Sequence, residues 1–282
     1  MKIGNKEFQW GERTYVMGVI NMTPDSFSGD GLAQNIEAAV DLALAMQQDG
    51  ADIIDVGGES TRPAGAVYGK GAESVSAEEE LRRVLPVIRR LKEVLTIPVS
   101  IDTYKAEVAR KAVAEGASLI NDVWGLKRDP ELAKVAVETG VALVVMHNQE
   151  GYAYGDLISE VLQGLRHSVE IALAAGVPED HIIVDPGIGF GKTAEHNLEI
   201  LRRLEYVKKE LNRPLLLGAS RKSFIGTVLG GLPPDERVEG TAATLAIAIA
   251  KGADMVRVHD VKQMARVCRM SDAIVRGWIA DD

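Results

Sequence analysis

Polar residues able to act on a small molecule recur in this chain at one kind of place, directly after short apolar runs. In order they are Asn21, Glu59-Ser60-Thr61-Arg62, Asp102, Asn121-Asp122, Met146-His147, Asp185, Ser220-Arg221-Lys222-Ser223, and Arg257 with His259. Asp102, Asn121, Asp185 and Lys222 together suit a flat heterocycle with donors and acceptors along one edge. Carboxylates accept from ring N–H and amino groups, the Asn amide serves either role, and Lys donates to a carbonyl. Arg62, Arg257 and His259 suit an anion, and Asn21 offers an oxygen to a divalent cation beside it. Each has a plainer reading: the aspartates as caps, Asn121 as a turn former, Lys222 as a solvated lysine, Arg257 as a bridge to a barrel carboxylate. His147 reads as a satisfied rim histidine rather than a base. The joint recurrence at the ends of successive runs favours a site.

The elements that must position these groups are legible from periodicity. Eight apolar, β-branched-rich runs occur: TYVMGVI near residue 17, DIIDV at 52–56, IPVSID at 97–102, SLIND at 118–122, VALVVM at 141–146, HIIVD at 181–185, PLLLGA at 214–219 and DMVRVH at 254–259. Helical patterns with apolar positions three and four apart separate them, and Gly50, Gly116, Gly140 and Gly252 stand where helices should end. Pro86 falls inside the second helical pattern and should kink or split it. Eight strand–helix units with polar residues at nearly every strand end favour an α/β fold closed as one (β/α)8 TIM barrel over residues 1–282, rather than an open doubly wound sheet. Its site would lie at the C-terminal ends of the strands. Two connections, TPDSFSGDG and STRPAGAVYGKG, are long and rich in Gly, Ser, Thr and Pro, as substrate-covering loops are.

Several classes are disfavoured. With 282 residues, 46% hydrophobic and 26% charged, the chain has an ordinary globular composition, and a net charge of -9 argues against a broad nucleic-acid-binding face. The start lacks an apolar leader region, no stretch approaches a membrane span, and the one cysteine, Cys268, sits in a helical pattern as a small core residue. A reducing, cytoplasmic setting is expected. DPGIGFGKT fails the NTPase phosphate-loop pattern because Pro186 stands where its first Gly is required. The scattered histidines and lone cysteine have no zinc spacing. A Schiff-base role for Lys222 stays open, although Arg221 and Ser223 beside it fit substrate orientation as well.

The blocks GVINMTPDSFSGDG, DIIDVGGESTRP, PVSIDTYKAEVA, GASLINDV, VVMH, IIVDPGIGFGKT, LLLGASRKSFIG and ADMVRVHDV arrive in order over nearly the whole chain. They resemble the dihydropteroate synthase family of pterin-binding enzymes. The resemblance implies that 6-hydroxymethyl-7,8-dihydropterin pyrophosphate binds in a barrel mouth and condenses with p-aminobenzoate, releasing pyrophosphate in folate synthesis, with Mg2+ accompanying the leaving group. It implies that Asp102, Asn121, Asp185 and Lys222 hold the pterin, with Met146 against the ring, and that Asn21, Arg257 and His259 serve the pyrophosphate and Mg2+. Asp102, Asp185, Lys222 and Arg257 are the residues expected to act in catalysis. Thr61, Arg62, Pro63, Phe190 and Ser223 would meet p-aminobenzoate or order the loops around it. A homodimer through outer helices of the later repeats is also implied, as is a link to sulfonamides, which mimic p-aminobenzoate in this family. Ala64, in place of the family's usual Gly, and the order SGDG in the first loop are small departures. The rivals are a methyltetrahydrofolate–corrinoid methyltransferase, which would share the pterin set, and a non-catalytic pterin-binding paralogue.

Overall fold

Alternation within each apolar run decides which side chains the sheet turns inward. In the computed structural model, which describes residues 1–23, 35–60 and 74–278, all eight runs are parallel strands. They are β3 (Tyr15–Asn21), β4 (Ile53–Gly57), β5 (Val99–Asp102), β6 (Leu119–Asp122), β7 (Ala142–Met146), β8 (Ile182–Asp185), β9 (Leu216–Leu217) and β10 (Met255–Val258). Their hydrogen-bonded order is β8-β7-β6-β5-β4-β3-β10-β9, and a parallel bridge between Val184 and Leu215 joins its two ends, so the sheet closes as the expected barrel.

Successive strand residues face opposite sides. Ile53, Leu119, Val144, Ile183, Leu216 and Met255 form one inward apolar layer with Tyr15 and Met17. Two residues further along the same strands, the same parity turns Asp55, Asn121, Met146, Asp185, Gly218 and Arg257 inward, nearer the C-terminal ends. The intervening residues, among them Val16, Ile54, Val56, Ile101, Ile120, Val145 and Val184, face the helices and join the outer core. Beneath the inner layer lies an antiparallel hairpin of β1 (Lys2–Ile3) and β2 (Lys6–Glu7), which the sequence reading did not anticipate. Ile3 and Phe8 beside it are buried against the inner layer, and Phe8 stacks 4.6 Å from the Tyr15 ring.

Helices α1 (Ile36–Gln48), α2 (Ala77–Val94), α3 (Ala106–Glu115), α4 (Glu131–Thr139), α5 (Leu157–Ala175), α6 (Ala194–Arg202), α7 (Leu204–Leu211), α8 (Ser223–Val228), α9 (Val238–Ala250) and α10 (Val261–Val275) surround the barrel. Gly116 at φ 127° and Gly140 at φ 69° end α3 and α4 as expected, in a region that side chains with a Cβ resist. Of the two outcomes expected at Pro86, a kink or a split, the split does not occur: α2 runs unbroken from Ala77 to Val94. Val84, Val87, Ile88 and Leu91 are fully buried along one face, and each contributes about 1.5–3 kcal/mol, enough together to outweigh the roughly 3 kcal/mol that an interior proline costs. Cys268 is buried in α10, where burial pushes its thiol up to about 12. No helix among the described residues is long and apolar enough to cross a membrane.

Candidate active site

The inward polar layer is held together by one guanidinium. Arg257 on β10 donates from Nε to Asp55 Oδ2 (2.6 Å) and from Nη2 to Asp102 Oδ2 (2.7 Å), and Asn121 Nδ2 donates to the same Asp55 oxygen at 3.0 Å. Arg257 therefore bridges two barrel carboxylates. Asp55 is completely buried, and its Oδ1, like Oδ1 of Asp102, is buried with no hydrogen-bond partner among the described residues. Burial pushes the Asp102 carboxyl up, to about 7; Arg257 opposes the rise and the neighbouring Asp55 adds to it.

Asp185 ends β8 on the facing wall. Its Oδ1 accepts from Gly187 N at 2.7 Å, which shapes the turn that follows, and burial raises its pKa against the pull of Lys222. Lys222 caps the start of α8, donates to the Ile188 carbonyl, and lies with its ammonium 4.4 Å from the Phe190 ring centre. Burial pushes this ammonium down to about 8, with Asp185 holding it up. Deeper in the wall, Lys192 donates to His147 Nδ1 (2.9 Å), the His147 carbonyl (3.3 Å) and the Phe190 carbonyl (2.9 Å). Burial pushes Lys192 down to about 7, and burial with the Lys192 charge pushes the His147 imidazole down to about 2. His147 is thus a neutral, satisfied histidine, as its sequence context suggested.

The remaining positions fall around this centre. Asn21 ends β3 beside Gly57, where a built Cβ would lie 3.9 Å from Asn21 Oδ1 and 3.6 Å from the Asp102 Cβ. Met146 is buried at the end of β7, Ser223 begins α8, and His259 holds the Ser220 hydroxyl through Nδ1 at 3.0 Å. Thr61, Arg62 and Pro63 lie outside the described residues. Arg221, read as a substrate-orienting neighbour of Lys222, instead grips Asp260 with Nε and Nη2 at 2.9 and 2.5 Å. Its left-handed backbone, φ 58°, turns it toward α10 and Lys222 toward the barrel. Asp122 serves its turn, accepting from Trp124 N and Leu126 N at 2.8 and 2.5 Å.

A family model described as "Pterin binding enzyme" matches residues 17–259, which include every strand of this barrel except the first two residues of β3. The chain belongs to the dihydropteroate synthase family of pterin-binding enzymes. It is 54% identical over 277 residues to the dihydropteroate synthase of Clostridium beijerinckii, covering 98% of this chain and 100% of the relative. Its fold superposes on the Clostridium difficile dihydropteroate synthase crystallised in the presence of pteroic acid with a TM-score of 0.89, at 48% identity over 96% of this chain and 100% of that one. The Xanthomonas albilineans dihydropteroate synthase with 4-aminobenzoic acid matches with a TM-score of 0.85 at 41% identity, covering 93% of each chain.

Against this family background, two residues were missed by sequence reasoning. Asp55 is the hub of the Arg257 network, and its signal was a charge inside an otherwise apolar strand, two residues from inward-facing Ile53. Lys192 organises the wall under Lys222, and its segment was weighed as a phosphate loop and as a family block without a role for this lysine.

Proposed function

We infer that this chain condenses 6-hydroxymethyl-7,8-dihydropterin pyrophosphate with p-aminobenzoate to give 7,8-dihydropteroate and pyrophosphate, a transferase reaction. Family membership supports the reaction, and one observation supports its location: Asp55 and Asp102 each keep a buried oxygen without a partner among the described residues. Buried acceptors are normally satisfied, so such oxygens suit the amino and N–H groups of a pterin edge. In this reading Asp102, Asn121 and Asp185 hold the heterocycle, Lys222 donates to its carbonyl, and Met146 packs on the ring.

The reaction breaks the bond between the pterin methylene carbon and the pyrophosphate oxygen, and forms a bond from that carbon to the arylamine nitrogen, which then gives up a proton. No covalent enzyme intermediate is needed. Arg257 and His259 favour the anion that departs, because a fixed guanidinium charge and hydrogen-bond donors stabilise developing negative charge. Ser223 and Phe190, with Thr61, Arg62 and Pro63, are assigned to the p-aminobenzoate side. Among the described residues there is no group of three or more His, Cys, Asp or Glu side chains able to cage an ion. The donor set therefore fits Mg2+ that arrives with the pyrophosphate and takes one protein oxygen from Asn21. When bound, the ion supplies charge neutralisation on the leaving group.

We further assign a homodimer contact to the α9–α10 side, where Ile247, Met270 and Ile274 are 52%, 63% and 73% exposed. Sedimentation of Ile274→Asp should show a shift toward monomer. A cytoplasmic enzyme with a buried, unoxidised Cys268 completes the reading. The functional assignment is tested by following pyrophosphate and dihydropteroate together: stoichiometric release that requires p-aminobenzoate supports it. Pterin binding without release in either condition contradicts it.

A further inference from the structure

A buried charge that the reaction does not use lies under the connection from β8 to α6. Lys192 is only 4% exposed, and its ammonium donates to three acceptors: His147 Nδ1, the His147 carbonyl and the Phe190 carbonyl. None of these is a carboxylate, and among the described residues Asp185 acts on this charge only through space. Taking an ammonium out of water costs several kcal/mol, and neutral acceptors return less of that cost than a paired carboxylate would. Stability alone gives no reason for a lysine here; the backbone that it holds does. His147 is fixed at the exit of β7 by its N–H, which donates to the Asp185 carbonyl at 2.9 Å. The β8–α6 connection presses so closely on that exit that a Cβ on Gly187 would collide with the His147 carbonyl. Two lysines then divide the connection between them. Lys222 holds the Ile188 carbonyl and Lys192 the Phe190 carbonyl, while the half-buried Phe190 ring lies 4.4 Å from the Lys222 ammonium.

We propose that Lys192 is a positioning residue that acts through Phe190: by tying the Phe190 carbonyl to the exit of β7, it sets the ring on the p-aminobenzoate side of the mouth. Asp185 is held by its own strand, and Lys222 by α8 and the Ile188 carbonyl, so loss of Lys192 releases Phe190 while the partners of the heterocycle stay in place. A ring fixed before the arylamine arrives meets it without a further loss of freedom. The proposal rests on the dihydropteroate synthase reading and deepens it.

The test compares Lys192→Met with the double variant Lys192→Met/His147→Leu, which removes the imidazole left without its donor and so protects folding; His147→Leu alone is the reference for the latter. In both, the KM for p-aminobenzoate should rise about tenfold, while the Kd for the pterin pyrophosphate, titrated calorimetrically without arylamine, changes less than about twofold. On a Phe190→Leu background the same substitutions should raise KM by less than about twofold more, because the group that Lys192 positions is already gone. An unchanged KM in the double variant, equal shifts in both constants, or the full penalty on top of Phe190→Leu overturns the proposal. If the wild-type chain makes no product, the functional reading has failed and Lys192 is judged by fluorine NMR of protein labelled with para-fluorophenylalanine at its four phenylalanines. The Phe190 line, assigned by its loss in Phe190→Leu, should shift between His147→Leu and the double variant while the Phe8 line stays; an unmoved Phe190 line overturns the positioning role.

Discussion

Two aspartates three residues apart, Asp52 just before β4 and Asp55 in its middle, live under opposite rules. Asp52, at the entry to β4, is saturated: Arg13 donates to both its oxygens at 3.0 and 2.6 Å, and Val16 N adds a bond at 2.9 Å. Its neighbours at that end follow suit. Asp272 accepts from Thr14 N and Oγ1 at 2.7 and 2.8 Å and from Arg276, and Asp254 accepts from Leu215 N at 2.7 Å and from Lys208. Asp55, inside the barrel, uses one oxygen for Arg257 and Asn121 and leaves the other bare among the described residues. Carboxylates at the strand entries fasten the fold, as Asp122 fastens its own turn, whereas Asp55 and Asp102 inside the barrel keep spare hydrogen-bonding capacity. Buried capacity of that kind costs stability unless a ligand uses it.

The largest effect that would sharpen this contrast is catalytic. Lys222→Ala and Asp185→Asn should each lower kcat/KM by roughly 100-fold or more, because each removes a charge-assisted contact to the reacting heterocycle, while thermal melting changes little. Wild-type kinetics in both variants would break the assignment. Asp52→Ala should do the reverse. Denaturant unfolding should show a loss of about 2–3 kcal/mol, since Asp52 is buried while Arg13 can return to water, and activity per folded molecule should stay within about twofold. Next is a pH limb. Lys222, held down to about 8 by burial, is a charged donor only while protonated, so kcat/KM should fall as pH rises above about 8; Lys222→Arg should carry that limb beyond pH 10, whatever its maximum.

The smallest effect concerns Lys192, whose pKa burial lowers to about 7 in the folded chain. Between that value and its ordinary 10.5 the unfolded chain binds more protons, so this residue makes stability rise with pH across that window. Lys192→Met should flatten the rise by about 1–2 kcal/mol between pH 7 and 9, measured by denaturant melts at both values. An undiminished slope would show that another group carries it.

How much of this was written in the sequence depends on what each residue's position requires. The barrel was legible because eight runs of strand length alternate with helical periods, and strand ends locate a mouth. Asp102, Asn121, Asp185 and Arg257 were legible for the same reason. Asp55 was not, since it lies within its strand and only the parity from Ile53 reveals that it faces inward. Without it, the role of Arg257 as a bridge between two carboxylates had no visible second partner. Arg221 and Lys222 are adjacent and alike in charge, and only the left-handed turn at Arg221 sends them different ways. The N-terminal hairpin escaped because strands of two residues have no period to read.

The most direct test is a calorimetric titration of 6-hydroxymethyl-7,8-dihydropterin pyrophosphate into wild-type protein, Asp102→Asn and Asp52→Asn. The account predicts binding to wild type, affinity weakened about 100-fold or more in Asp102→Asn, and affinity within about twofold of wild type in Asp52→Asn. Equal losses in the two variants, or no loss in either, would contradict the division between carboxylates that fasten the fold and carboxylates that hold the substrate.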